Sequence, residues 1–244
     1  MKAALPFLLL SGVLLLPQPA AAQNRYESCM QAVQTQPEEG LQQATAWHEE
    51  SGSMAARHCA AAALGALGRF AEAAEHQRAV ADAVDAQSRP PVLAELGWLW
   101  MLAGEPAQAE AAQSEALDIR ADDVELRIDR AIARAELSRW WDAIDDLNRA
   151  HELAPERSEV LVLRAEAYRR VEAPELALDD LERVLALEPE NAEALMQRGL
   201  VRFEQGDPEA AAEDWRRVVE LAPQSEAGQV AQQNLQQLEA QQGG

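Results

Sequence analysis

Lysine is almost missing from this chain: Lys2 is the only one among the 244 residues. Without another lysine, the rest of the chain cannot carry a phosphate-loop lysine, a Schiff-base lysine or a Ser-x-x-Lys nucleophile. There is no Gly-x-Ser-x-Gly sequence, and only four histidines could serve as a general base. The sequence therefore predicts a protein without enzymatic activity.

Residues that favour strands are also scarce, with two tyrosines, three phenylalanines and few isoleucines or threonines. Alanine, leucine, glutamate, glutamine and arginine dominate instead, and these residues favour helices. We therefore expect an all-α fold.

Metal-binding patterns are incomplete. His48-Glu49-Glu50-Ser51-Gly52 begins like a zinc-protease helix, but Gly52 stands where the second histidine would be. His58 and Cys59 are neighbours, and neighbouring side chains on a helix point in different directions. We expect no metal site and no cofactor.

Positive charge is in short supply, because 21 basic residues face 42 acidic ones and the formal net charge is −21. A strongly acidic surface repels nucleic-acid phosphates and anionic lipid headgroups. The sequence therefore argues against nucleic-acid and membrane-surface binding. It favours a protein or peptide partner that is neutral or basic.

The first 22 residues have the pattern of a secretory signal peptide. Lys2 supplies the positive charge, Leu5 to Leu16 form an apolar segment, and Ala20-Ala21-Ala22 precede the predicted cleavage point. The apolar segment is too short for a comfortable membrane span. We expect cleavage and export to the periplasm or the extracellular space, with no membrane insertion of the mature chain.

Only two cysteines are present, Cys29 and Cys59, thirty residues apart. Export would place them where disulfides persist. They do not form the Cys-x-x-Cys motif of redox proteins. A structural disulfide is therefore favoured, and a reactive thiol pair that takes part in thiol–disulfide exchange is the alternative.

Small residues recur along the chain at a fixed period. One series has spacings of 36, 34, 34 and 34 residues: Ala73, Ala109, Ala143, Ala177 and Ala211. A second series lies twelve residues before the first: Ala61, Gly97, Ala131, Ala165 and Gly199. Because two helices approach closely only where side chains are small, this pattern indicates repeated helical hairpins.

A 34-residue period with this register resembles the tetratricopeptide repeat, a helix–turn–helix unit. The resemblance implies a right-handed superhelical solenoid of antiparallel hairpins. Five repeats are expected over residues 54–225: 54–87, 90–123, 124–157, 158–191 and 192–225. It also implies a scaffold for protein–protein interactions.

Two segments flank the expected repeats. Residues 23–53 are predicted to form a divergent helix pair that Pro37 and Gly40 break, and residues 226–244 to form a capping helix and tail. The opening Cys29…Trp47…Ala56-Arg57-His58-Cys59 resembles that of exported bacterial repeat proteins.

At two fixed positions of the repeat, arginine and aspartate occur together, and they do so only in the last three repeats. Arginine is the seventh residue of each, and aspartate follows sixteen residues later. In an antiparallel hairpin these two positions face each other across the helix pair. We predict three structural ion pairs: Arg130–Asp146, Arg164–Asp180 and Arg198–Asp214.

The resemblance also implies a concave groove lined by the first helix of each repeat. The residues at its groove positions combine apolar side chains with carboxylates. They are Glu95, Trp98, Met101, Glu125, Ile128, Asp129, Ile132, Val162, Glu166, Met196, Leu200 and Phe203. We expect this groove to bind a partner segment. The alternatives are that the amino-terminal helices cover the groove or that the protein is a purely structural homo-oligomer.

Overall fold

The structure, a computed structural model, describes residues 20–242, so the predicted signal segment lies outside them except for Ala20–Ala22. Within this range all regular structure is helical, and there is no strand. The helices are α1 (Ala20–Thr35), α2 (Pro37–Ser51), α3 (Met54–Ala66), α4 (Phe70–Ala83), α5 (Arg89–Leu102), α6 (Pro106–Ile119), α7 (Val124–Glu136), α8 (Trp140–Leu153), α9 (Ser158–Arg170), α10 (Pro174–Leu187), α11 (Ala192–Glu204), α12 (Pro208–Leu221) and α13 (Glu226–Gln242).

The helices fall into two compact units, one within residues 20–121 and the other within residues 122–242. In unit 1, α1 packs with α2, α3 with α4, and α5 with α6. In unit 2, α7 packs with α8, α9 with α10, α11 with α12, and α13 covers α12. The predicted all-helical hairpin fold is confirmed.

Short turns reverse the chain between the two helices of each hairpin. Gly68, Gly104 and Gly206 adopt left-handed φ values of 73°, 76° and 83°, which glycine adopts without a steric penalty. Proline is the first residue of α6, α10 and α12, where its missing N–H would have had no partner within the helix.

The first series of small residues lies where the hairpin helices touch. All five alanines of that series are completely buried: Ala73, Ala109, Ala143, Ala177 and Ala211. A Cβ atom added at Gly97 would lie 2.9 Å from Gln113 Nε2 on the partner helix. A larger residue at Gly97 would therefore require the Gln113 side chain to shift.

The expected break at Gly40 is wrong. The chain turns at Gln36, and Pro37 begins α2, whereas Gly40 lies inside that helix and is buried. A Cβ atom at Gly40 would lie 2.8 Å from the side chain of Val33 on α1. The glycine therefore lets α2 approach α1 closely.

None of the helices within residues 20–242 combines the length and the apolar character needed to span a bilayer.

Candidate protein-binding surface

The first helices of the unit 2 hairpins carry apolar side chains that solvent can reach. Ile132 on α7 and Leu200 on α11 are partly exposed, and Phe203 on α11 is 39% exposed. The Phe203 ring also contacts Trp215, with 5.8 Å between the ring centroids. Glu166, at the equivalent position of α9, is partly exposed as well. We call Ile132, Glu166, Leu200 and Phe203 the unit 2 surface.

Three other residues expected in the groove are buried, which corrects the prediction. Ile128, Val162 and Met196 are 2%, 7% and 7% exposed. Each belongs to an apolar cluster that includes the buried alanine of its own hairpin. They stabilise the hairpins and are closed to a partner.

Carboxylates crowd around the amino-terminal end of α7. Asp129 is partly buried, and desolvation, together with the nearby negative charges of Glu125 and Glu159, raises its pKa to about 7. Glu125 itself is held in an ion pair with Arg157, whose Nη2 donates to Glu125 Oε2 over 3.0 Å. Glu125 is therefore already bound within unit 2.

Unit 1 contains the remaining groove candidates, Glu95, Trp98 and Met101, all on α5. Trp98 is 36% exposed, and Met101 is partly exposed. Glu95 differs, because its Oε2 accepts a hydrogen bond of 2.6 Å from Gln77 Nε2 and lies 3.3 Å from His58 Nε2. Its carboxylate thus connects α5 to α3 and α4.

The Glu95 contacts belong to a polar network that the sequence does not reveal. Tyr26 Oη on α1 lies 2.8 Å from His58 Nδ1, so His58 bridges the phenol and the carboxylate. Desolvation, reinforced by the Glu95 charge, raises the pKa of Tyr26 to about 12. The phenol is therefore neutral and able to donate its hydrogen bond. These residues lie on three different helices and follow no repeat.

Each arginine of the three expected ion pairs contacts its aspartate. Arg164 Nε and Nη2 donate to Asp180 over 2.8 and 2.7 Å, and both residues are buried. The pairs Arg130–Asp146 and Arg198–Asp214 have the same two-pronged geometry. This geometry suits the planar guanidinium group.

Further arginines join these pairs, although the sixteen-residue spacing does not predict them. Asp146 also accepts hydrogen bonds from Arg127 and Arg134, and Asp214 accepts one from Arg202. In the middle hairpin, Arg164 Nη1 donates instead to Asn148 on α8, a helix of the preceding hairpin. The sequence does contain a signal for these contacts. Arg134 and Arg202 lie four residues after Arg130 and Arg198, and residues four apart share a helix face.

Cys29 on α1 and Cys59 on α3 form a disulfide. The two residues are 1% and 0% exposed and pack with Val33 and Ala44. The bond therefore fastens α1 to α3 inside the core of unit 1. Within residues 20–242, no three His, Cys, Asp or Glu side chains are grouped so that they could hold a metal ion.

Comparison with known proteins identifies the repeats in the second half of the chain. Residues 163–236 match the family model described as tetratricopeptide repeat. No curated protein sequence matches the chain.

Solved structures resemble a larger part of the chain. A tetratricopeptide repeat protein from Parabacteroides merdae is 18% identical with a TM-score of 0.61, and the match covers 90% of this chain and 86% of that protein. MamA is 19% identical with a TM-score of 0.58, over 66% of this chain and 92% of MamA. YrrB, described as having an unusual peptide-binding site, is 16% identical with a TM-score of 0.58, and the match covers 78% of this chain and 97% of YrrB. At these identities the likeness shows the fold.

Proposed function

We propose that the chain is a non-enzymatic scaffold that binds a segment of a partner protein on the first helices of its hairpins, because residues 163–236 match the tetratricopeptide repeat and the chain shares the fold of such proteins. YrrB, which shares the fold, is described as having a peptide-binding site. A shared fold alone does not fix a function, so the proposal depends on the chemistry of the exposed residues.

The observation that carries the proposal is the exposure of apolar side chains on the unit 2 surface. Ile132, Leu200 and Phe203 remain accessible although Ile128 and Met196 on the same helices are buried. Leu200 and Phe203 are three residues apart on α11 and so share a helix face, and contiguous accessible apolar residues are typical of binding surfaces. A partner would cover them with apolar side chains of its own.

Negative charge around this surface favours a neutral or basic partner. Glu166 belongs to it, and Glu193 lies on α11, which also carries Leu200 and Phe203. The whole chain has a formal net charge of −21. Opposite charge on the partner would speed association, and a partner of like charge would be repelled.

Site-specific photocrosslinking tests this proposal. A photoreactive amino acid at Ile132 or Leu200 should capture the same protein in cells. Leu187 on α10 is the matched control, because it is 73% exposed but lies on a second helix. Equal capture from Leu187, or none from Ile132 and Leu200, contradicts the proposal.

A homo-oligomer would occupy the same surface with a second copy of the chain. Light scattering of the purified protein separates the two cases. If a dimer forms and Leu200→Glu dissociates it, the surface serves self-association and the scaffold proposal fails in its present form.

Export to the cell envelope is part of the proposal and depends on the signal pattern of residues 1–22. The disulfide fits an oxidising compartment, and the burial of both cysteines supports a structural bond over a reactive thiol pair. Mass spectrometry of fractionated cells tests the location. A protein that keeps residues 1–22 and stays in the cytoplasmic fraction would contradict it.

A further inference from the structure

Two hairpin turns of unit 2 have a residue other than glycine at the left-handed position. Ser138, between α7 and α8, has φ 58°, and Glu172, between α9 and α10, has φ 57°. Within residues 20–242 these are the only non-glycine residues with left-handed φ. A side chain in this conformation carries a steric penalty, and strained residues of this kind concentrate at functional sites.

Both strained residues line one depression of about 460 Å³ at the surface of unit 2. We call it the turn depression, and the residues that matter to its chemistry are Ser138, Trp140, Trp141, Asp142, Arg170 and Glu172. It lies at the ends of the hairpins, among residues that the proposed scaffold function does not use.

Trp141 is the most exposed aromatic side chain among the large apolar residues of the described chain, at 63%. α8 begins with Trp140 and Trp141, whereas α10 and α12 begin with proline followed by glutamate. A tryptophan this exposed contributes little packing energy to the fold. The indole offers a flat apolar face with one polar edge, which suits a ligand that has both kinds of surface.

The charged groups of the turn depression balance one another. Arg139 Nε donates to Asp142 over 2.7 Å. The Arg170 guanidinium lies 4.7 Å from the centre of the Trp140 ring and forms no ion pair or hydrogen bond with another described side chain. Glu172 forms no ion pair within residues 20–242 either. The depression thus offers N–H donors from Arg170 and acceptor oxygens from Glu172.

We propose that the turn depression binds a neutral saccharide, with the apolar face of one sugar ring on Trp141 and its hydroxyls bonded to Arg170 and Glu172. A hydroxyl donates one hydrogen bond and accepts others, so adjacent hydroxyls can serve a group that only donates and a group that only accepts. Because Arg170 and Glu172 carry opposite charges, the depression as a whole favours neither an anion nor a cation. The small volume also suits one or two sugar rings better than an extended peptide.

Saturation-transfer NMR on the full chain tests the proposal with maltose, cellobiose, lactose and diacetylchitobiose at millimolar concentration. At least one should bind, and Trp141→Ala should weaken that binding by about tenfold or more. Trp141→Phe, which keeps an aromatic face, should retain part of it, and Arg170→Gln should weaken it. Trp98→Ala is the control, because Trp98 is an exposed tryptophan in unit 1.

Three outcomes overturn the proposal: no sugar binds, binding survives Trp141→Ala, or Trp98→Ala reduces it equally. If peptides bind through Trp141 and the sugars do not, the depression is a peptide site and the saccharide assignment is wrong. Circular dichroism checks that each variant is folded. If Trp141→Ala does not fold, the weaker binding expected of Trp141→Phe tests the proposal instead. Crosslinking at Ile132 reports separately on the scaffold function, so each proposal can fail without the other.

Discussion

Gly199 on α11 lies directly against the indole of Trp215 on α12. A Cβ atom at Gly199 would be 2.4 Å from Trp215 Nε1 and 2.7 Å from Cδ1, well inside contact distance. Trp215 is only 1% exposed and packs with Ala211 and Val218, so it has little room to move. The glycine and the tryptophan are therefore a matched pair, with the missing side chain of one making space for the other.

Replacing Gly199 with alanine should destabilise the protein by about 1–3 kcal/mol, because the added methyl group overpacks a full core. Part of this loss will be offset, since alanine favours the helix more than glycine does. Urea unfolding of the variant measures the net change. Gly97→Ala is the comparison and should be milder, because the added Cβ would meet the flexible end of Gln113. Equal stability of Gly199→Ala and the wild type would contradict the steric argument.

The ion pair between Arg164 and Asp180 should show strong coupling. Asp180→Ala leaves a buried guanidinium without its carboxylate and should cost about 3–5 kcal/mol. If Arg164→Ala is added, part of the loss should return, and the double-mutant cycle should give a coupling free energy of roughly 0.5–3 kcal/mol.

The control for this cycle is the exposed pair Arg217–Glu220, whose side chains are 44% and 65% exposed. Solvent screens such a pair, so its coupling should be about 0–1 kcal/mol. Denaturant unfolding of the four variants of each cycle gives both values. Additive losses at Arg164 and Asp180 would show that their contact contributes no pairwise energy.

Repetition explains why much of the fold could be predicted from the sequence. Ala143 and Ala177 occupy the same repeat position because the two helices of every hairpin must approach closely there. The arginine–aspartate spacing of sixteen residues, as in Arg164 and Asp180, recurs because the same two positions face each other in each hairpin. A physical constraint that acts once per repeat leaves a periodic trace. The helix pairs and the arginine–aspartate contacts are therefore predictable from the sequence alone.

Features that occur once leave no such trace. His58 meets Tyr26 and Glu95 only because three helices converge, and their separations of 32 and 37 residues match no period. The error at the fifth repeat position has another cause, because Ile128, Val162 and Met196 are all buried there although the groove assignment treats this position as exposed. Each of them packs into the core cluster of its own hairpin, so burial at this position is periodic and the position assigned from the family resemblance is what fails.

The Tyr26–His58 hydrogen bond should stabilise unit 1 by about 1 kcal/mol, the usual net value for such a bond. Tyr26→Phe removes the phenol hydroxyl and keeps the ring, so its effect isolates this bond. Tyr168→Phe in unit 2 is the matched control, because the Tyr168 ring lies beside Arg164 and a phenylalanine ring would keep that contact. Thermal unfolding should show a loss for Tyr26→Phe and little change for Tyr168→Phe. A Tyr26→Phe variant as stable as the wild type would show that water replaces the bond without loss.

Asp129 should make stability fall as the pH rises from about 4 to about 7. Its folded pKa is about 7, above the value of about 3.9 for an unfolded aspartate, so the folded state holds the proton more tightly. The resulting stabilisation is present below about pH 4 and is lost as the pH rises toward 7. Asp129→Asn keeps the shape and removes the charge, so it should become increasingly more stable than the wild type between about pH 5 and pH 8. Urea unfolding at both pH values measures this difference, and Glu152→Gln, an exposed carboxylate of unit 2, is the control for a general loss of negative charge. If Asp129→Asn and Glu152→Gln show the same pH dependence of stability, the burial of Asp129 is not the cause of that dependence.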